Sequence, residues 1–362
     1  MPAIITHDQF ALDVLAALDE AAADSEPASS SEPAASSEPL ASSVTASTAS
    51  EPAASEPSSS EPAASESAAG SFAPRSPEER LALRLGSQGP DPFFYLAVHP
   101  TLHARTPLGS ALHSTDPADL LAALSTCVTD VPERERPIAR SWAAGFLCHY
   151  LLDRTVHPFV YAQEYAYCDA GIEGLTRENG SEVHAVIESE IDEVVLFTKR
   201  GVTVDVYSPH REILRLDDYS LGVASRLVSR MMWTARREQL PLEVYAAAVR
   251  SFRFVQSVFD SPSGVKRSVL GSLEELVRPY SFVRSMIHRP LAVTECDYDN
   301  HERAEWENPF TGERSEESFW DLYAAALDRA VASVGRLASG ELDENAAREL
   351  TAGLNFSGAP VL

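Results

Sequence analysis

In the stretch GFLCHYLLDRTVHPF, residues 145–159, His149, Asp153 and His157 recur every four residues among apolar neighbours. On a helix, side chains at i, i+4 and i+8 project along one line, so these three converge on one face. A histidine on an apolar face is often a satisfied core residue. Two histidines and an aspartate on one stripe fit that reading poorly, because a buried carboxylate must find a cation or several donors. A second stripe follows in SEVHAVIESEID (181–192), where His184 and Glu188 share the four-residue spacing and Asp192 lies one turn on. An HxxxE pair can hold one divalent ion from a single helix, and imidazole with carboxylate suits zinc, with manganese and iron chemically open. Asp91 stands between two prolines in GPDPFF, a stiffened turn. His113 stands at the mouth of a helix in GSALHSTD, and His7 just ahead of the first helix.

The elements that must position these residues read as helices. Residues 8–22 place Phe10, Val14, Leu15 and Leu18 on one side. In SPEERLALRLG, Ser76 can cap, Pro77 start and Gly86 stop a short helix. Another helix starts near Asp116 or Asp119. A long, mostly apolar one covers 138–157 and is expected to end at Pro158, whose ring blocks continuation. Further helical patterns cover 181–199, 218–237, 242–258, 268–286 and 316–338. The valines of GVTVDVY (201–207) permit a short extended piece. Little else alternates with period two, so the fold class expected is all-α. Gly86 and Gly89 read as turn punctuation.

Composition divides the chain. Between Asp24 and Gly70 it repeats SEPAAS-like units with eight acidic residues and no basic one. Such a segment buries too little to offset its ordering entropy, so 24–73 reads as a disordered acidic insert. The remaining organisation expected is a ligand strip and first helix over 1–23, a metal-binding helical core over 74–210, and a C-terminal helical part over 211–362 packed on it. The formal net charge of −25 opposes a double-stranded nucleic acid partner. Residues 223–237 are the best place for a local basic patch and read as an amphipathic helix with solvated arginines. Four scattered cysteines, Cys127, Cys148, Cys168 and Cys296, read as reduced thiols. With no basic n-region at the start and no apolar run of spanning length, the expectation is a cytoplasmic protein without a transmembrane segment. Near the C-terminus, Trp306, Phe310, Phe319, Trp320 and Tyr323 gather around a Pro-Phe-Thr-Gly turn. They read as packing, with a substrate wall as the alternative, and Asn300, His301 and Asn308 are weak candidates for a pocket edge.

Taken together, the N-terminal strip and residues 80–195 resemble the zinc-dependent phospholipase C family, the all-helical fold of bacterial three-zinc phospholipases C, related distantly to P1-type nucleases. The resemblance implies a first zinc held by Asp91, His113, His149 and Asp153. It makes Asp153 the bridge to a second zinc on His7 and the N-terminal amine, and gives a third to His157, His184 and Glu188. In the secreted members the aspartate and the next histidine of the central motif are six apart, whereas here Asp153 and His157 are four apart. The amine expected here is that of Pro2 after methionine removal. Two or three zinc ions would activate water against a phosphoester, either a small soluble one or a phospholipid head group, with Asp91 as base or water-orienting group. No Ser-His-Asp order, Cys-His pair or phosphate-cradling glycine loop competes. The alternative from another class is a non-catalytic, metal-stabilised helical protein or binding scaffold.

Overall fold

The computed structural model describes residues 3–25, 72–171, 175–259 and 298–361. Most of the acidic insert, the helix expected at 268–286, Cys296 and Pro2 lie outside the described residues. Among the described residues there are eleven α-helices: α1 Ile4–Ser25, α2 Pro77–Gly86, α3 Pro107–His113, α4 Pro117–Asp130, α5 Arg136–Cys168, α6 Gly180–Arg200, α7 Pro209–Glu212, α8 Asp218–Arg236, α9 Leu242–Phe259, α10 Phe319–Ser339 and α11 Glu344–Thr351. Asp91–Val98 forms a 3₁₀ segment. The strand content among the described residues is one antiparallel pair, Trp306–Glu307 with Arg314–Ser315, closing the Pro-Phe-Thr-Gly turn. Among those residues no helix is long and apolar enough to cross a membrane.

Helix α5 is the axis. It packs against α1, α2, α4, α6, α8 and α10, which explains why it is apolar on nearly every side. Trp142, Tyr150, Phe146 and Phe159 on it are almost fully buried, within one apolar cluster that runs from Ile4 to Phe356. Two glycines set the closest approach. A Cβ on Gly86 would stand 2.8 Å from the Trp142 carbonyl carbon, and one on Gly145 would stand 2.6 Å from the Ser87 amide nitrogen. Gly86 therefore serves a helix crossing between α2 and α5, beyond punctuating a turn.

Helix ends follow the local chemistry. Ser76 and Glu79 form a capping box on α2, Ser318 and Asp321 another on α10, and Asp116 accepts from the Ala118 amide to start α4. Three expectations need correction. Pro158 lies inside α5 and does not end it; the carbonyl of Arg154, which the proline leaves without an intrahelical donor, is covered by the C-terminal turn at Gly358, whose absent Cβ would stand 2.6 Å from that oxygen. The first helix begins at Ile4, so His7 lies in its first turns and not ahead of it. Residues 201–207 form a turn and not an extended piece, after Gly201 ends α6 with φ 64°.

Candidate metal centre

Five elements converge on one buried point. Helix α1 brings His7, the 3₁₀ segment Asp91, the last residue of α3 His113, α5 His149, Asp153 and His157, and α6 His184 and Glu188. All eight residues expected at the site are thus brought together. Seven of them are buried, His149 completely and Asp153 to 2 % exposure, and His113 is partly buried, its side chain 13 % exposed. Three sets have ligand atoms mutually within 4.8 Å: His7, His149 and Asp153; Asp91, His113 and His149; His157, His184 and Glu188.

The imidazoles are oriented by what their far nitrogens meet. Nδ1 of His149 donates to the Ser87 carbonyl at 3.0 Å, Nδ1 of His113 to the Gly109 carbonyl at 2.8 Å, and Nδ1 of His157 to the Phe356 carbonyl at 2.9 Å. Nδ1 of His184 meets the Glu164 carboxylate at 2.9 Å. Carbonyl and carboxylate oxygens can only accept, so these Nδ1 atoms carry the proton and a neutral ring presents a lone pair at Nε2. Those lone pairs face carboxylate oxygens. Nε2 of His149 lies 3.1 Å from Asp153 Oδ2; His7, whose Nδ1 is buried with no acceptor to hold its proton, places Nε2 3.2 Å from Asp153 Oδ1. His113 Nε2 lies 3.3 Å from Asp91 Oδ1, and both His157 and His184 place Nε2 3.3 Å from Glu188 Oε1.

Acceptor facing acceptor is repulsive unless a cation sits between. Two ligand atoms of a tetrahedral zinc shell with bonds of about 2.0–2.1 Å stand about 3.3 Å apart, the spacing these pairs show. The atoms His113 Nε2, His149 Nε2, Asp91 Oδ1, Asp153 Oδ2 and Glu188 Oε2 are also buried without hydrogen-bond partners, a cost that a metal removes. Asp153 divides its oxygens: Oδ1 faces His7 and, at 3.5 Å, His157, while Oδ2 faces His149 and, at 4.0 Å, His113. The four-residue spacing to His157 keeps both on one face because α5 continues through Pro158. The residues present fit a multi-metal cluster.

Without metal, protons take its place. Burial disfavours the Asp153 carboxylate, but the charges of His149, His157 and His7 outweigh it and hold Asp153 well below the usual range. Burial disfavours the His7 imidazolium, but Asp153 above all overrides it and raises His7 in turn. His184 rises to about 9 against its burial through Glu188 and Glu164, and Glu188 is lowered in turn despite its own burial, first by His184.

The supporting roles of several residues escaped the sequence reading. Gly89 has φ +50°, and a Cβ there would stand 2.5 Å from Cγ of His149, so a glycine lets the chain pass over that ring. Glu164 follows His157 by seven residues on the same helical face; the expected stop at Pro158 hid it. Asp192 accepts from the Ile5 and Thr6 amides at 3.1 and 2.7 Å and from the Thr6 hydroxyl at 2.6 Å, fastening first-turn amides of α1 that lack an intrahelical acceptor, directly before His7. Phe356, in the C-terminal turn, packs on His113 and His149 with ring centroids at 5.2 and 5.9 Å, and no local signal marks it.

The aromatic group near the C-terminus splits in two. Trp306 and Phe310 pack on Phe159 and Tyr161 of α5, while Tyr323 meets Phe10 of α1. Asn300, His301 and Asn308 shape turns and do not edge the centre: Asn300 bonds Ala304 and Glu317, His301 bonds Asp299, and Asn308 accepts from the Phe310 amide. Cys127, Cys148 and Cys168 are free thiols. Comparison of the chain with models of protein families, with curated proteins and with solved structures found no match.

Proposed function

We propose that this chain is a metal-dependent phosphoester hydrolase, similar in its centre to the zinc-dependent phospholipase C family. The observation that carries the reading is the facing of Nε2 of His149 and His113, whose Nδ1 protons are held by carbonyls, and oxygens of Asp153 and Asp91 at 3.1 and 3.3 Å. Asp91, His113, His149 and Asp153 would hold one zinc, Asp153 and His7 a second, and His157, His184 and Glu188 a third. Zinc bound there would supply Lewis acidity to a phosphoester and acidify a nearby water. Asp91, stiffened by Pro90 and Pro92, orients the attacking water and accepts its proton. His113, the ligand nearest solvent, marks the side from which substrate enters. Carbonyls hold the protons of His149 and His157 on the outer nitrogen and Glu164 that of His184, so those rings do not compete for the water's proton. A net charge of −25 favours a small soluble phosphoester over a head group in an anionic membrane.

One observation favours a second reading, a metal-stabilised protein without turnover. The cavity bordering His7, Asp153, His157 and Glu188 measures about 20 Å³, room for one water-sized species. The test is elemental analysis of protein purified without chelator or metal-affinity columns, beside His149→Ala and Asp153→Ala, followed by an assay on soluble phosphomono- and diesters. Two or three equivalents of zinc lost in both variants, with turnover that falls about 100-fold or more in Asp91→Asn, supports the hydrolase. Zinc without turnover supports the stabilising role. A metal-free parent and unperturbed folding of both variants would sink the two readings together.

A further inference from the structure

The metal centre occupies the middle of α5. Arg140 lies nine residues before His149, about 14 Å away along the helix, and borders a separate cavity. That cavity has a volume of about 310 Å³ and is lined by Phe72, Arg75, Glu79, Arg140, Ser141 and Ser339, among others. In a chain of net charge −25, two arginines on one cavity wall run against the general field. Neither has an ion-pair partner among the described residues. Glu79, the one acid in the lining, has both oxygens engaged by its own capping turn, accepting from the Ser76 and Arg75 amides at 3.3 and 3.2 Å.

Two polar atoms of this wall are buried with no partner, Nε of Arg140 and Oγ of Ser141. Ser141 is 1 % exposed. A serine inside a helix ordinarily bonds the carbonyl four residues back, and Ser141 makes no such bond. A buried guanidinium nitrogen and a buried hydroxyl without partners are costly, and the cost disappears when an oxyanion accepts from both. The position beside the first turns of the 33-residue α5 adds a favourable field for negative charge.

We propose that this cavity binds a phosphate group, free or carried by a small metabolite, with Arg140 and Arg75 supplying charge and the Ser141 hydroxyl donating. It is distinct from the metal centre and does not depend on the hydrolase reading.

The test is calorimetric titration of the full chain with inorganic phosphate, and separately with glycerol phosphate, at constant ionic strength held by chloride. Parent, Arg140→Gln, Ser141→Ala and His149→Ala are compared. Binding at this site weakens about tenfold or more in Arg140→Gln and severalfold in Ser141→Ala, and persists in His149→Ala. Ser141→Ala removes a hydroxyl with no hydrogen bond, so its folding stays intact even if Arg140→Gln is unstable. Tighter binding of glycerol phosphate identifies a metabolite, and equal binding identifies free phosphate. Titration curves unchanged in both cavity variants, or no heat above the chloride control in the parent, would overturn the proposal.

Discussion

Replacing Gly89 by alanine separates the support of the candidate metal centre from its ligands, because the nearest atoms the added methyl meets all belong to the His149 ring. Two costs arise. The first is conformational: at φ +50° an L-residue pays about 1–2 kcal/mol relative to glycine. The second is steric: ordinary contact begins near 3.4 Å and the new Cβ would stand 2.5 Å from Cγ of His149, so ring and loop must part by about 1 Å. Overpacking of that kind costs about 1–3 kcal/mol. Gly201 provides the control, since it has φ +64° and nothing within 4 Å, and Gly201→Ala carries the first cost without the second. The entropy that alanine removes from the unfolded chain is common to both variants. Thermal unfolding in chelator should therefore place Gly89→Ala below Gly201→Ala by a few degrees, at about 2 °C per kcal/mol for a chain of this size. Metal content gives the sharper readout. Ligand distances tolerate about 0.2 Å, and His149 belongs to two of the three ligand sets. Gly89→Ala should lose the metal that depends on His149 and keep that of His157, His184 and Glu188, while Gly201→Ala keeps all. Equal metal content and equal unfolding temperatures in the two variants would refute the role given to Gly89.

Glu164→Gln leaves a weaker, neutral acceptor for the Nδ1 proton of His184, and the affinity of the His157, His184 and Glu188 set for zinc should fall about 10–100-fold in competition titrations with a chelating dye. Asp192→Asn removes the charge that holds the Ile5 and Thr6 amides, worth about 1–2 kcal/mol, so zinc dependent on His7 should weaken about tenfold while the set on α6 is spared. In chelator-treated protein the His184 value of about 9 stands above the 6.5 of a free histidine, so its stabilisation is complete below about 6.5 and lost as pH rises through about 9. Glu188, lowered from 4.5, contributes above that value and loses its contribution as pH falls. The metal-free unfolding temperature should thus be highest between about pH 5 and 7 and decline toward pH 10, whereas zinc uptake near neutral pH releases protons, measurable as buffer-dependent heat. A flat metal-free profile over that range would contradict the His184 assignment.

The residues that converge at the candidate metal centre were legible in the sequence because their rule is local. His149, Asp153 and His157 align by helical period alone, as do His184 and Glu188, and the apolar surroundings supply the anomaly that makes a buried carboxylate informative. The all-helical class was legible for the same reason, and the caps at Ser76 and Asp116 fixed helix starts through short-range hydrogen bonds. What was not legible depends on contacts far along the chain. Pro158 breaks the pattern only if the Arg154 carbonyl is left bare, and the turn that covers it comes from Gly358, two hundred residues away. Misjudging that end concealed Glu164, which lies on the same stripe. Gly86 and Gly89 look identical to any turn glycine until the facing surface is known: Trp142 for one, the His149 ring for the other.

The fold also explains why the ligands are divided among so many elements. A helix offers one line of side chains, so α5 can present His149, Asp153 and His157 along a cluster but cannot surround it. Enclosure needs residues from other directions, and each must be aimed as firmly as those on α5. His7 is aimed by Asp192, which lies one turn beyond Glu188 on α6, so the ligand on α1 is set by the same helix that supplies the third set. His113 and His157 are aimed by backbone carbonyls, and Phe356 both supplies the carbonyl for His157 and packs on His113. The outer layer thus links the three ligand sets mechanically. Displacing one support should disturb together the two sets that share His149, with Asp153 beside it, before it disturbs the third set or the helices themselves.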